Sequence, residues 1–255
     1  MRASALLRVE LGHGGRSVVR ELRSQSPMTM VPRRAATTSA DGTAVVHLVG
    51  SAATPVGGDV VDLRVHVGPG ARLLLRGTAA TVALPGQHSG HSRSTVHIEV
   101  ADGGTVEYLP EATVISSRAD HQAEMTIALG EGARARCRET LVLGRYGERS
   151  GRLATTTHVL RGGTPLLRQR LDIGDERLTA SVGYLAGARV LATETVVWEH
   201  DPVVPSSGDW WSLAPLAAGG AMATAVGDDA VIAERRLAEA VSHHPDAKEL
   251  EVRSW

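Results

Sequence analysis

Phenylalanine is absent from this 255-residue chain, which holds only three tyrosines and four tryptophans. Carbohydrate-binding modules and RNA-binding sheets use aromatic faces as stacking platforms, so the composition argues against both. The single cysteine, Cys137, leaves no internal disulfide to form. Basic and acidic side chains nearly cancel, 27 against 28, which denies the chain the basic footprint of a nucleic-acid binder. Long hydrophobic runs are also missing. The longest weakly apolar stretch, Leu213 to Val226, is interrupted by Pro215 and two glycines and is too short to cross a bilayer. The apolar stretch near the start is too short for a signal-peptide core. A cytoplasmic protein with neither nucleic-acid nor membrane partners is expected. No P-loop, GxGxxG after a strand, GxSxG, HExxH or CxxC occurs, so the common enzyme signatures are absent.

What is present is a period of two. Apolar and polar residues alternate in Val61-Asp62-Leu63-Arg64-Val65-His66-Val67, as a strand buried on one face requires. Val96, Ile98 and Val100 repeat the pattern, and so do Met125, Ile127 and Leu129. Each run ends at a glycine-bearing turn: Gly68-Pro69-Gly70, Asp102-Gly103-Gly104 and Gly130-Glu131-Gly132. Hairpin turns need positive φ, which glycine supplies. A fourth unit runs through His158 to Thr164, and a fifth starts around Gly12-His13-Gly14-Gly15. Steps of 33, 29 and 31 residues lead from Val67 to Val100, Leu129 and Leu160. Such near-regular spacing predicts stacked layers with a continuous core between neighbours. The expected fold is mainly β: an elongated stack of antiparallel hairpins, or β-helix-like two-layer sheets, with a small C-terminal helical element. One domain over 1–255 is expected, with the hairpin stack in 1–200 and a closing strand and helix in 210–244. After the Asp228-Asp229 cap, Ala230, Ala233, Leu237, Ala240 and Val241 share one helical face, and Pro245 marks the stop.

Few residues suggest chemistry. His88 and His91 in the loop after Pro85-Gly86 could share a metal, but no paired carboxylate accompanies them, and surface histidines are the simpler reading. His243-His244 is placed to meet a helix C-terminus. His47, His66, His97, His121 and His158 fall in strand-like runs, where a solvated or core-satisfied ring is the simpler reading. Two carboxylates stand out. In Arg134 to Leu143, parity puts Arg134, Arg136 and Arg138 on one face, read as solvated. Glu139 shares the other face with Ala135, Cys137, Leu141 and Leu143. A carboxylate turned toward an apolar side needs an ion-pair partner such as Arg145 or Arg152, a polar channel or a metal. Asp59 follows Gly57-Gly58 directly before a strand, where it either caps a turn or offers oxygen to a cation.

At these residues the chain resembles the UreD (UreH) family of urease accessory proteins. The Pro55…Gly57-Gly58-Asp59 stretch, the strand after it and Thr78-Ala79-Ala80-Thr81 are similar to that family's glycine-glycine-aspartate segment and threonine-rich strand. Tyr108-Leu109-Pro110-Glu111 is similar to its aromatic-Leu-Pro segment. Glu139-Thr140-Leu141-Val142-Leu143-Gly144-Arg145 matches its most recognisable signature, and Thr164-Pro165-Leu166-Leu167 fits the next unit. Val82-Ala83-Leu84 stands where family members carry a lysine and an aromatic residue, and the loop after Arg145 is short. The resemblance implies a β-rich scaffold, not an enzyme. It would bind UreF and, through it, the GTPase UreG, dock on the urease structural subunits and pass Ni²⁺ in transit with no permanent cofactor. The hypothesis that follows is that Asp59 and Glu139 line or gate a polar passage; Gly57, Gly58, Pro110, Gly144 and Arg145 are motif or structural residues, with Arg145 holding Glu139 or the turn after Gly144. The Leu185-to-Trp198 region and Trp210-Trp211 are candidate partner anchors. The competing readings are a metal-dependent hydrolase using His88 and His91, and a β-rich interaction module with no metal role.

Overall fold

The computed structural model describes residues 1–33, 42–87, 90–174 and 176–250. The chain opens with an antiparallel hairpin of β1 (Arg2–Leu11) and β2 (Ser17–Arg23), then a second of β3 (Met28–Pro32) and β4 (Ala44–Gly50). Three coils follow. Each passes from β5 (Val60–Val67) to β6 (Arg72–Gly77) and β7 (Thr81–Ala83), then β8 (Ser92–Val100) to β9 (Thr105–Leu109) and β10 (Thr113–Ile115), then β11 (Asp120–Leu129) to β12 (Arg134–Leu143). A hairpin of β13 (Arg152–Arg161) and β14 (Thr164–Ile173) closes one sheet. After α1 (Glu176–Ala180), β15 (Val190–Val197), β16 (Ser206–Gly208), β17 (Trp211–Pro215) and β18 (Ala221–Gly227) extend the other. The helices α2 (Ala230–Ser242) and α3 (Ala247–Leu250) finish the described chain.

Two sheets result. The first runs β14-β13-β11-β8-β5-β1-β2; the second runs β16-β17-β18-β15-β12-β9-β6-β4-β3, with β7 and β10 beside it. The expected two-layer, β-helix-like stack with a small C-terminal helix is what forms. The hairpin detail, however, differs in the centre. β5, β8 and β11 pair in parallel, as do β6, β9 and β12, so each glycine-bearing turn carries the chain from one sheet to the other. Alternation and a glycine at positive φ are common to hairpins and to such arcs, and only the stacking tells them apart. Gly70, Gly103 and Gly132 hold the same third place in successive arcs, at φ of 64°, 63° and 62°. Main-chain bonds such as Gly70 N–H to the Asp102 carbonyl (3.0 Å) and Gly103 N–H to that of Glu131 (2.8 Å) stack the arcs.

The sequence spacing is the stacking register. Val67 lies beside Val100, and Val100 beside Leu129. The last step slips by one, because Leu129 meets Arg161 and the buried side chain of β13 is Val159. Inward-facing rows of the first sheet change character along the strands. Val65, Ile98, Ile127 and Val159 form a dry row near the arcs. Toward the other end come Val61, Ser94, Ala123 and Thr155, then Ser92, His121 and Leu153. Each fully buried Val, Leu or Ile near the arcs contributes about 1.5–3 kcal/mol.

A third layer covers the outer face of the second sheet. Asp229 caps α2, its Oδ1 accepting the Ile232 N–H at 2.8 Å. Ala233, Leu237, Ala240 and Val241 then pack on Val190, Ala192, Val196 and Leu213. Arg136 therefore lies buried beneath the helices instead of on a solvated face. Its Nε donates to Glu194 at 2.6 Å and its Nη1 to the Leu250 carbonyl at 2.5 Å, while Arg138 bonds the other Glu194 oxygen at 2.9 Å. No helix among the described residues is long and apolar enough to cross a membrane.

Candidate functional site

Between the dry core near the arcs and a smaller one around Ile115, Leu143 and Leu153 lies a cavity of about 590 Å³. It extends to where the second sheet is broken. β9 pairs with β12 as far as Tyr108–Cys137, and β10 resumes at Thr113–Leu141. Arg138, Glu139 and Thr140 thus have no strand partner on that side, although β15 pairs with them on the other. Pro110 and Glu111, in the link between β9 and β10, form the facing rim and line the cavity together with Arg138 and Glu139. Gly77 is needed beneath this rim, since a Cβ there would lie 2.5 Å from the Glu111 nitrogen.

Glu139 points inward, as its parity requires. Thr155 Oγ1 on the opposite sheet donates to Oε1 at 2.9 Å. Neither expected arginine reaches it. Arg145 instead binds Glu148 through Nε (2.9 Å) and Nη2 (2.5 Å), while Arg152 is exposed. With protein around it and one hydroxyl for a partner, Glu139 has its carboxyl pushed above the usual range by burial, which the Thr155 bond only partly offsets. Some of its surface still faces the cavity, so a small polar species inside can touch it. Arg145 keeps the turn after Gly144, one of the two roles expected of it. Gly144 has φ of 82°, and a Cβ there would lie 2.7 Å from the Glu148 carbonyl.

Asp59 is buried and caps its turn. Its Oδ2 accepts from Val56 N–H (2.9 Å) and Thr54 Oγ1 (3.1 Å), and its Oδ1 accepts from the Met1 ammonium (2.6 Å). Burial opposes its charge, but these donors outweigh burial and hold the carboxyl below the usual range. The two preceding glycines have separate causes. Gly58 has φ of 91°, whereas a Cβ on Gly57 would lie 2.5 Å from the Gly86 nitrogen. Asp59 thereby secures the Thr54-Pro55 wall of the cavity without lining it.

The remaining candidates scatter. His91 is exposed, and His88 lies outside the described residues. His66 Nδ1 and His97 Nε2 both meet Glu99, at 3.0 and 3.1 Å, on the open face of the first sheet. Among the described residues no three His, Cys, Asp or Glu groups are arranged to hold a metal ion. The strand within the Leu185-to-Trp198 region is sandwiched between layers and Trp211 is buried, so neither offers an anchor; Trp210 is exposed, with Val203 and Val204 nearby in sequence. One functional-looking residue escapes the sequence reading, and a second is read there only as a solvated or core-satisfied histidine. Glu194 is buried opposite Arg138, signalled only by a lone charge in the apolar run Val190–Val197. His121 is buried on the cavity wall, with no signal beyond strand parity.

The chain is thus a two-sheet stack of parallel coils whose interior holds a cavity with one enclosed carboxylate beside a gap in strand pairing. The family model for the UreD urease accessory protein matches residues 2–244. Urease accessory protein UreD 1 of Saccharopolyspora erythraea is 71% identical over 255 residues, the whole of both chains. The UreD proteins of Parafrankia sp. and Frankia alni are 38% and 39% identical, covering 93% of this chain and 86% and 91% of their own. The chain belongs to the UreD family of urease accessory proteins, whose role lies in urease maturation.

Proposed function

We propose that this protein is a maturation scaffold, binding UreF and through it UreG, that docks on apo-urease and lets Ni²⁺ pass through its interior polar cavity. The observation that carries this reading is Glu139: an enclosed carboxylate, partnered by one hydroxyl, at the break in the second sheet. Keeping a carboxylate unpaired inside a protein costs several kcal/mol. A passing divalent cation offsets that cost, and a lone oxygen donor with water releases the ion readily, as a closed cage of imidazole and thiolate does not. Asp59 holds the wall, and Gly57, Gly58, Gly144, Arg145 and Pro110 shape the rim and turns. The hydrolase reading has only the exposed His91 within the described residues to support it. An interaction module without a metal role would leave the cost of Glu139 unexplained.

Charge removal tests this. Glu139→Ala is expected to co-purify with UreF and urease as the parent does, yet to lower urease activation at least several-fold. Undiminished activation by a folded, complex-forming Glu139→Ala would remove the passage from the proposal. Failure of the parent to capture UreF and apo-urease would remove the scaffold itself.

A further inference from the structure

We infer that His121 is a nitrogen donor to the cation inside the cavity, a site resting on the nickel-passage reading. The ring is 3% exposed and lines the cavity. Its Nδ1 meets Ser92 Oγ at 2.9 Å, and Ser92 Oγ in turn donates to the Asp120 carbonyl at 3.4 Å. In the tautomer protonated at Nδ1 the ring donates to Ser92 Oγ, and Nε2 is the nitrogen left to bind a cation. A histidine that ligates a metal through one nitrogen and donates from the other has this arrangement.

Glu111, Glu124 and Glu139 line the cavity beside Arg138 and Arg145, so carboxylates outnumber guanidinium groups on its wall. Burial, only partly offset by the Ser92 backbone and the Asp120 charge, pulls the ring's pKa down to about 4, so at neutral pH it adds no positive charge. Ser92 pairs with His121, and the neighbouring Arg93 N–H bonds the Asp59 carbonyl at 2.7 Å. Two residues further along the neighbouring strand, Thr155 holds Glu139. Adjacent strands are about 4.8 Å apart. An inward polar series therefore runs from Ser92 and His121 to Thr155 and Glu139, flanked by dry cores on both sides. One imidazole and one carboxylate, with hydroxyls between, suit a borderline divalent ion such as Ni²⁺ and hold it less firmly than a full ligand set.

His121→Asn keeps an amide donor close to the place of Nδ1 and deletes Nε2. In cells carrying urease and its other accessory proteins, the nickel concentration for half-maximal urease activation should rise on the order of tenfold, the usual effect of disturbing a metal's ligand set. UreF capture and thermal midpoint should stay near the parent's. Ser92→Ala, which frees the ring without removing it, should give a smaller rise and decides the matter if His121→Asn does not fold. An unchanged half-maximal concentration in the folded variant overturns the assignment. Glu139→Gln, run alongside, separates the two levels. If it impairs activation and His121→Asn does not, only the His121 assignment fails; if neither does, the passage itself fails.

Discussion

At the scale of single residues, the two family carboxylates have opposite effects on stability. Glu139 has a raised folded-state pKa, so its contribution is greatest below the ordinary glutamate range and is lost as pH climbs through the folded value. Above the ordinary glutamate range it is therefore a burden to the fold. Glu139→Gln, which can keep the Thr155 bond, should therefore raise the melting temperature at pH 7.5 by a few degrees, about 1 kcal/mol in a chain of this size. The gain should shrink toward pH 4. Asp59 has a lowered pKa, so its contribution is present above the ordinary aspartate range and is lost as pH falls through the folded value. Asp59→Asn should cost about 1.5–3 kcal/mol at neutral pH, the range for hydrogen bonds to a charged group. Urea titrations of both variants across pH check these signs. A stabilising Asp59→Asn or a destabilising Glu139→Gln would contradict the assignment of wall and passage.

At the scale of elements, the helical layer is fastened through charge. Arg136 of β12, enclosed by α2 and α3, joins Glu194 of β15 to the Leu250 carbonyl of α3. Arg136→Met strands part of the Glu194 charge and should cost about 3–5 kcal/mol, whereas Arg136→Met with Glu194→Leu should recover much of that loss. Denaturant midpoints of the single and double variants measure it, and a single-variant cost below about 1 kcal/mol would contradict a coupled buried pair. What could be read from sequence follows the reach of each signal. The period-two runs, the Asp229 cap and the α2 stripe from Ala233 onward are local and stand as read, whereas the glycine turns read as hairpins are arcs between sheets. Parity also placed Glu139 inward. It could not say that the Arg134–Arg138 face would be roofed, because the roof comes from residues 230–250, about a hundred positions later. The break between β9 and β10 was hidden for the same reason: Pro110 and Glu111 read as a strand end, and only their neighbour β12 makes them the rim of an opening.

At the scale of the whole molecule, parallel coils solve one problem and create another. Stacked arcs and matched rows bury a continuous apolar interior near the turns, and the hairpins at the ends of the first sheet finish the stack. Midway along the strands, serines, threonines, a histidine and a glutamate replace that interior, so stability is given up where the cavity lies. The central claim is that nickel travels through this interior, which an obstruction tests more directly than a change of charge. Ala123 lies on the inward face of β11 beside Ser94 and Thr155 and lines the cavity. Ala123→Trp would place an indole in the cavity while leaving every charged group in place. Metal analysis of urease matured with this variant should find normal assembly with UreF and urease but little bound nickel. Urease carrying its full nickel complement, matured by an assembled Ala123→Trp protein, would contradict the account.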